Sequence, residues 1–133
     1  MRIYPDVNVI IYHVERNPTG GHRATACFAA MNAAGDVPVI SDLSRMECRV
    51  GPLRSGDMTL ISEYDAFFAA PGIEVVGLTA AVCDRAAELR ARYGFKTPDA
   101  LHLAAAIVHG CDRFLTNDTR LNACTDIAID VMP

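Results

Sequence analysis

Residues 2–14 read RIYPDVNVIIYHV. Residues 2–6 have the length and apolar content of a short buried strand, and Val7 to about Glu15 carries its apolar residues at helical spacing. A strand that runs directly into a helix opens an α/β unit. Polar groups crowd the junction: Pro5, Asp6 and Asn8. At the carboxyl end of a strand, an aspartate either caps the helix that follows or faces a ligand.

The rest of the chain repeats this alternation. NPTGGH (17–22) reads as a loop and Arg23 to Ala34 as an alanine-rich helix. Gly35-Asp36 turns the chain into VPVI (37–40), a second strand. Ser41 is a plausible N-cap for a helix with Leu43, Met46 and Val50 on its apolar side, which Gly51, Pro52, Ser55 and Gly56 are expected to break. A helix follows from Asp57 to Phe68, ended by Pro71-Gly72, and IEVVGL (73–78) is a third strand. Thr79 caps a helix whose apolar stripe is Val82, Ala86, Leu89 and Tyr93.

Thr97-Pro98 is a strong helix start, a capping hydroxyl followed by proline at the first helical position. Leu101, Ala104, Ala105 and Val108 share a face of that helix, which stops at Gly110. RFLT (113–116) is a fourth strand, Asn117 to Leu121 a turn or short helix, and IAIDV (127–131) a fifth strand. Short apolar strands alternating with helices predict an α/β fold: a mostly parallel central sheet of about five strands with helices on both faces. No repeat, linker or low-complexity segment divides residues 1–133, so one domain is expected.

Composition narrows the function classes. The 133 residues are 51% hydrophobic, which favours a packed core over disorder. No apolar stretch is long enough to span a bilayer, and Asp6 and Asn8 interrupt what would otherwise resemble a signal-peptide core. The five cysteines are scattered without a CxxC pair, which predicts reduced thiols and cytoplasmic work rather than a disulfide framework or zinc cluster. His22 and Cys27 have no matching second pair of ligands. A net charge of −4 argues against a broad basic surface that holds nucleic acid, though not against an enzyme that touches it briefly.

Four acids fall at or near the carboxyl edge of the predicted sheet: Asp6 after the first strand, Glu47 in the second turn after the second, Asp99 in the first turn opened by Thr97-Pro98, and Asp118 after the fourth. Each has a structural explanation taken singly, as a helix cap, a dipole partner or a solvated helix residue. Taken together they conflict, because two carboxylates within ~4 Å repel by roughly 4 kcal/mol at an effective dielectric of 20. They must share protons, stay apart or hold a cation. An all-oxygen set suits a hard ion, Mg2+ or Mn2+. Asp6 would then be a ligand, and Asn8 a neutral group that orients a ligand or a water.

The order PDVNVIIY, then Glu47 in ISDLSRMECRV, then TPDALHLAAAI, then RFLTNDTRL resembles the PIN-domain nucleases, and more narrowly the VapC-type toxins of toxin–antitoxin pairs. The likeness covers nearly the whole chain, and TPDALHLA followed by LTND is its most specific part. It implies a metal-dependent endoribonuclease, usually dimeric and blocked by a small antitoxin protein, in which metal-bound water attacks an RNA phosphodiester. Carried over by position, the acidic quartet falls on Asp6, Glu47, Asp99 and Asp118, with Asn8, Thr116 and Ser41 in support. Phe67 and Phe68 are candidate exposed apolar residues for a dimer.

This chain departs from the family pattern at Pro5, where an apolar residue is usual. Proline lacks the N–H a central strand would use, so the first strand is expected to end early or twist there. His102 is expected on the helix surface or in a partner groove. Arg45, Arg49, Arg113 and Arg120 lie near the acidic edge in sequence terms. Two other readings compete. A catalytically weak PIN-like module for protein binding has no reason to keep four mutually repelling acids. A phosphoacceptor receiver-like domain needs a lysine after its last strand, and the chain's one lysine, Lys96, precedes a helix.

Overall fold

β1 (Arg2–Pro5) and β4 (Arg113–Thr116) lie side by side at the centre of a five-stranded sheet, although more than a hundred residues separate them in sequence. The computed structural model describes residues 1–133. The sheet is completed by β2 (Val37–Ser41), β3 (Glu74–Val76) and β5 (Ala128–Val131), in the order β3-β2-β1-β4-β5, and every pairing is parallel. Six helices connect them: α1 (Val7–Val14), α2 (Gly21–Ala34), α3 (Asp42–Ser55), α4 (Met58–Phe68), α5 (Ala80–Tyr93) and α6 (Thr97–Val108). A 3-10 turn spans Thr119–Ala123.

Alternate side chains of each strand enter different layers, as a sheet covered on both faces requires. Tyr4, Val39 and Phe114 point to the side where α5 and α6 contribute Val82, Ala86, Leu89, Leu103 and Ala104. Ile3, Ile40 and Leu115 point to the opposite side, under Val9, Ile10, Met31, Tyr64 and Phe68 of the other helices. The small side chains of α6 let that helix lie close on the sheet. Tyr4 stacks on Phe114 across the central strand pair, with ring centroids 5.4 Å apart.

β1 ends at Pro5, one residue short of the expected 2–6, but the residue after it is not displaced. The Asp6 N–H donates to the Leu115 carbonyl at 2.7 Å, so the chain stays on β4 through this point. Backbone groups of successive strand residues point to opposite edges, which leaves the missing N–H of Pro5 on the β2 side. There the register has already stopped at Ile3↔Pro38.

Other expectations need correction. Gly51 and Pro52 do not break α3, which continues to Ser55 with Pro52 buried inside it. Burial of the ring against the core outweighs the lost helical N–H. Gly56, at φ 73°, supplies the left-handed residue that ends the helix. The inward side of α3 is Leu43, Ser44, Cys48 and Pro52, whereas Met46 is 53% exposed and Val50 also faces outward. In α4, Phe68 is buried and Phe67 partly so, packed edge-on against each other, which removes Phe68 as an exposed dimer contact. Helix α2 begins earlier than expected, at Gly21, and β3 is shorter than IEVVGL. Thr97 is the first residue of α6 rather than its cap; Lys96 occupies the cap position without a side-chain bond.

Candidate active site

The carboxyl edge of the sheet is built first by Asp6. Its backbone holds α1 by accepting from the Val9 and Ile10 N–H groups, and its side-chain Oδ1 accepts from Val7 N–H at 2.8 Å. Oδ2 accepts from the Thr116 hydroxyl at 2.9 Å, at the end of the neighbouring strand. Asp6 is only 6% exposed. Burial raises its pKa; the His102 ring, the Thr116 hydroxyl and the Val7 N–H oppose that rise, and nearby Asp99 adds to it.

Asp99 lies in the first turn of α6, half-buried, with no hydrogen bond to its carboxylate. Its pKa is raised by burial and by Asp118, against the lowering influence of Arg120, His102 and Lys96. Asp118 caps the 3-10 turn, and its N–H donates to Thr116 Oγ1 at 3.0 Å. Arg120 grips its carboxylate from the outside, Nε at 3.0 Å from both oxygens and Nη2 at 2.5 Å from Oδ2. That bonding holds the Asp118 carboxyl below its ordinary value.

Glu47 turns inward from α3, one residue after the exposed Met46, and its Oε1 meets His102 Nε2 at 2.5 Å. His102 is 2% exposed, so the expectation of a surface histidine is wrong. It lies one turn after Asp99 on α6, and the buried layer between α3, α6 and the sheet takes it in. Its other ring nitrogen meets the Tyr4 hydroxyl at 2.7 Å. Tyr4 lies in β1 and Asp6 follows it two residues on in extended backbone, which turns both to one side of the sheet. That spacing, and the one-turn interval between Asp99 and His102, are the sequence signals for these two supporting residues.

The remaining expected residues divide. Thr116 is buried and joins Asp6 to Asp118 through one hydroxyl. Ser41 is the N-cap residue of α3, but its hydroxyl goes to Tyr4 at 2.7 Å. Asn8 is exposed in the first turn of α1. Among the arginines, Arg113 lies at the start of β4, away from the acids, and pairs with Asp130. Arg49 and Arg45 sit at Asp65, with Arg45 also over the Phe68 ring.

The electrostatic couplings link Asp6 to Asp99 and Asp99 to Asp118, while Glu47 reaches the same edge through His102. No three of the chain's His, Cys, Asp and Glu side chains are already arranged around one point as ligands would be. Two of the four acids are instead partnered, Glu47 by His102 and Asp118 by Arg120. The donor set itself is oxygen-only and anionic, the chemistry that suits a hard divalent cation. Asp99 lines a pocket together with Tyr93, Phe95, Lys96, Arg120 and Leu121.

The PIN domain family model matches residues 3–126, and the chain belongs to that family. Its fold is that of the VapC-type toxins. VapBC2 from Rickettsia felis, solved bound to a DNA fragment from its promoter, superposes with a TM-score of 0.83 at 17% identity, covering 100% of both chains. VapC20 of Mycobacterium tuberculosis, described as a sarcin–ricin loop cleaving toxin, gives 0.76 at 18% identity over 98% of this chain and 99% of that one. A toxin–antitoxin complex from Klebsiella pneumoniae gives 0.69 at 20% identity over 95% of each. No curated protein matches the chain by sequence.

Proposed function

We propose that this protein is a Mg2+- or Mn2+-dependent endoribonuclease that acts as the toxin of a toxin–antitoxin pair. The observation that carries the reading is the gathering of Asp6, Asp99 and Asp118 at one edge of the sheet, where Thr116 joins Asp6 to Asp118 and Asp99 is coupled to both by repulsion. Burying an aspartate beside a second carboxylate is costly unless something positive compensates it. Asp6, Glu47, Asp99 and Asp118 would hold the cation. A divalent cation there supplies Lewis acidity, lowering the pKa of a water and offsetting charge on a phosphodiester.

The chain's own groups divide the remaining work. Thr116 fixes one oxygen of Asp6 and leaves the carboxylate oriented toward the edge. Asp99 has no internal partner and is the acid most available to a ligand. Arg120, largely exposed, can exchange its hold on Asp118 for a contact to an RNA phosphate, which suits its bidentate geometry. Asn8, exposed at the same edge, is available to a water or to substrate.

The partner proposals have the same basis. An antitoxin partner is supported by likeness to toxin–antitoxin complexes, and RNA as substrate by likeness to a sarcin–ricin loop cleaving toxin; a homodimer rests on the family resemblance of the sequence alone. Met46, Val50 and Leu53, exposed at helical spacing on α3, give a partner an apolar surface. Cytoplasmic work agrees with five free cysteines, and no helix is long and apolar enough to cross a membrane.

The test is incubation of the purified chain with total bacterial RNA, with and without Mg2+ or Mn2+, and then mapping of the cut ends. Metal-dependent scission leaving 5′-phosphate ends is expected. Cleavage that persists in excess chelator, or depends on a 2′-hydroxyl and leaves a cyclic phosphate, would exclude the mechanism.

A further inference from the structure

Beneath the acidic edge runs a line of buried polar side chains that the four acids by themselves do not require. His102 Nε2 meets Glu47 Oε1 at 2.5 Å, His102 Nδ1 meets the Tyr4 hydroxyl at 2.7 Å, and that hydroxyl meets Ser41 Oγ at 2.7 Å. Ser44 Oγ stands 3.4 Å from the same hydroxyl and also accepts the Ser41 N–H. The line crosses α3, α6, β1 and β2, so four separate elements must be in place before it closes.

A histidine inside an alanine-rich helix is a costly choice for packing alone, since each ring nitrogen needs a partner once water is gone. Both have one here. The direction of the first bond is fixed by chemistry: an ionised glutamate only accepts, so Nε2 must carry a proton toward it. The Tyr4 phenol, whose pKa is raised by burial, stays protonated and can serve Nδ1 and Ser41 together. Glu47 accepts through Oε1, and its Oε2 takes no hydrogen bond from the chain. Its long side chain is thus tied at one oxygen, with the other free of bonds to the chain.

We infer that His102 is a positioning residue for Glu47, held in turn by Tyr4 and Ser41, and that it sets the direction in which Glu47 presents its free oxygen to a divalent cation. The inference rests on the nuclease reading above. His102 is too buried to touch RNA, and the one acid of the edge that it bonds directly is Glu47. Partners of this kind tune a ligand's orientation and basicity, and their loss typically costs about tenfold to a hundredfold in metal affinity or activity.

The experiment compares the wild-type chain with His102→Leu, His102→Gln and Tyr4→Phe. Mn2+ binding without RNA is measured by calorimetry, cleavage of total RNA by initial rates, and folding by thermal melts. His102→Leu is expected to lower kcat and weaken Mn2+ binding, each by about tenfold to a hundredfold, with apparent KM within about twofold. His102→Gln, whose amide can still donate to Glu47, should recover most of both. Adding His102→Leu to Glu47→Gln should cost little more than Glu47→Gln alone, because the two act as one unit.

A folded His102→Leu protein that binds Mn2+ and cuts RNA like the wild type would overturn the inference. So would a folded His102→Gln protein no better than His102→Leu. If His102→Leu does not fold, Tyr4→Phe, which keeps the ring, decides: a fall in kcat and in Mn2+ affinity supports the relay, and wild-type values for both overturn it. A wild-type chain that neither binds Mn2+ nor cuts RNA defeats the nuclease reading and this inference together. Wild-type activity indifferent to these variants defeats the inference alone.

Discussion

Thr116 donates its hydroxyl proton to Asp6 Oδ2 at 2.9 Å, across the parallel pairing of β4 with β1. The same hydroxyl oxygen accepts the Asp118 N–H at 3.0 Å. One buried hydroxyl therefore orients a carboxylate that ends the first strand and shapes the turn that carries another. This edge is organised by the sheet itself.

Thr116→Val keeps the shape and removes this link. A buried hydrogen bond to a charged group is worth about 1.5–3 kcal/mol, so a loss of about 2 kcal/mol and a melting temperature lower by several degrees are expected. Activity should fall more than stability alone explains, since Asp6 loses the contact that aims it. Denaturant melts and cleavage rates on the same preparation check both; a variant with wild-type stability and wild-type rate would show the hydroxyl to be idle.

Asp6→Asn and Asp99→Asn should each reduce RNA cleavage by at least about a hundredfold while leaving the fold intact. Charge is lost and volume is kept. At position 6 an asparagine oxygen can still accept from Val7 N–H or from the Thr116 hydroxyl. Circular dichroism and rate measurements are the check, and full activity in either variant would remove the metal-site account.

Mg2+ or Mn2+ should raise the melting temperature by mass action, by an amount equivalent to about 2.7 kcal/mol when the ion is present at a hundred times its dissociation constant. The shift should shrink in Asp6→Asn and Asp99→Asn. It should be largest at low ionic strength, where screening is weakest. A scan over metal concentration tests this, and an equal shift in wild type and both variants would place the ion elsewhere.

A pH effect arises away from the site, at Asp126. This side chain accepts from the Tyr93 hydroxyl at 2.7 Å and pairs with Arg92 and Arg85, which together hold its carboxyl below the ordinary aspartate value. A depressed folded pKa means the unfolded chain binds the proton first. The stabilisation is therefore complete above the unfolded value near 3.8 and is lost as pH falls through the lower folded value. Wild type should exceed Asp126→Asn in stability at pH 6, with the gap closing below about pH 4. Equal melts at pH 6 would show the cluster to be without net effect.

The alternation of strand and helix, and the placement of Asp6, Asp99 and Asp118 at element ends, can be read from the chain because both depend on local periodicity and on start signals such as Thr97-Pro98. Local reading fails where tertiary contacts outvote local preference. Pro52 stays inside α3 because its ring is buried, and the inward side of that helix is Cys48 rather than Met46. Phe68 is in the core, and Arg113 lies at the far end of its strand from the acids, although few residues separate it from Asp118.

By itself, the sequence determined the order of the elements and the kinds of side chain that end them, since these depend on spacing over a few residues. Only the tertiary structure decided that His102 lies buried between Glu47 and Tyr4, that Thr116 joins Asp6 to Asp118, and that Arg120 closes on Asp118. The Tyr4–His102 contact joins residues 98 apart. Such contacts depend on how helices rotate as they pack on the sheet, and rotation is set by the whole core rather than by neighbours along the chain.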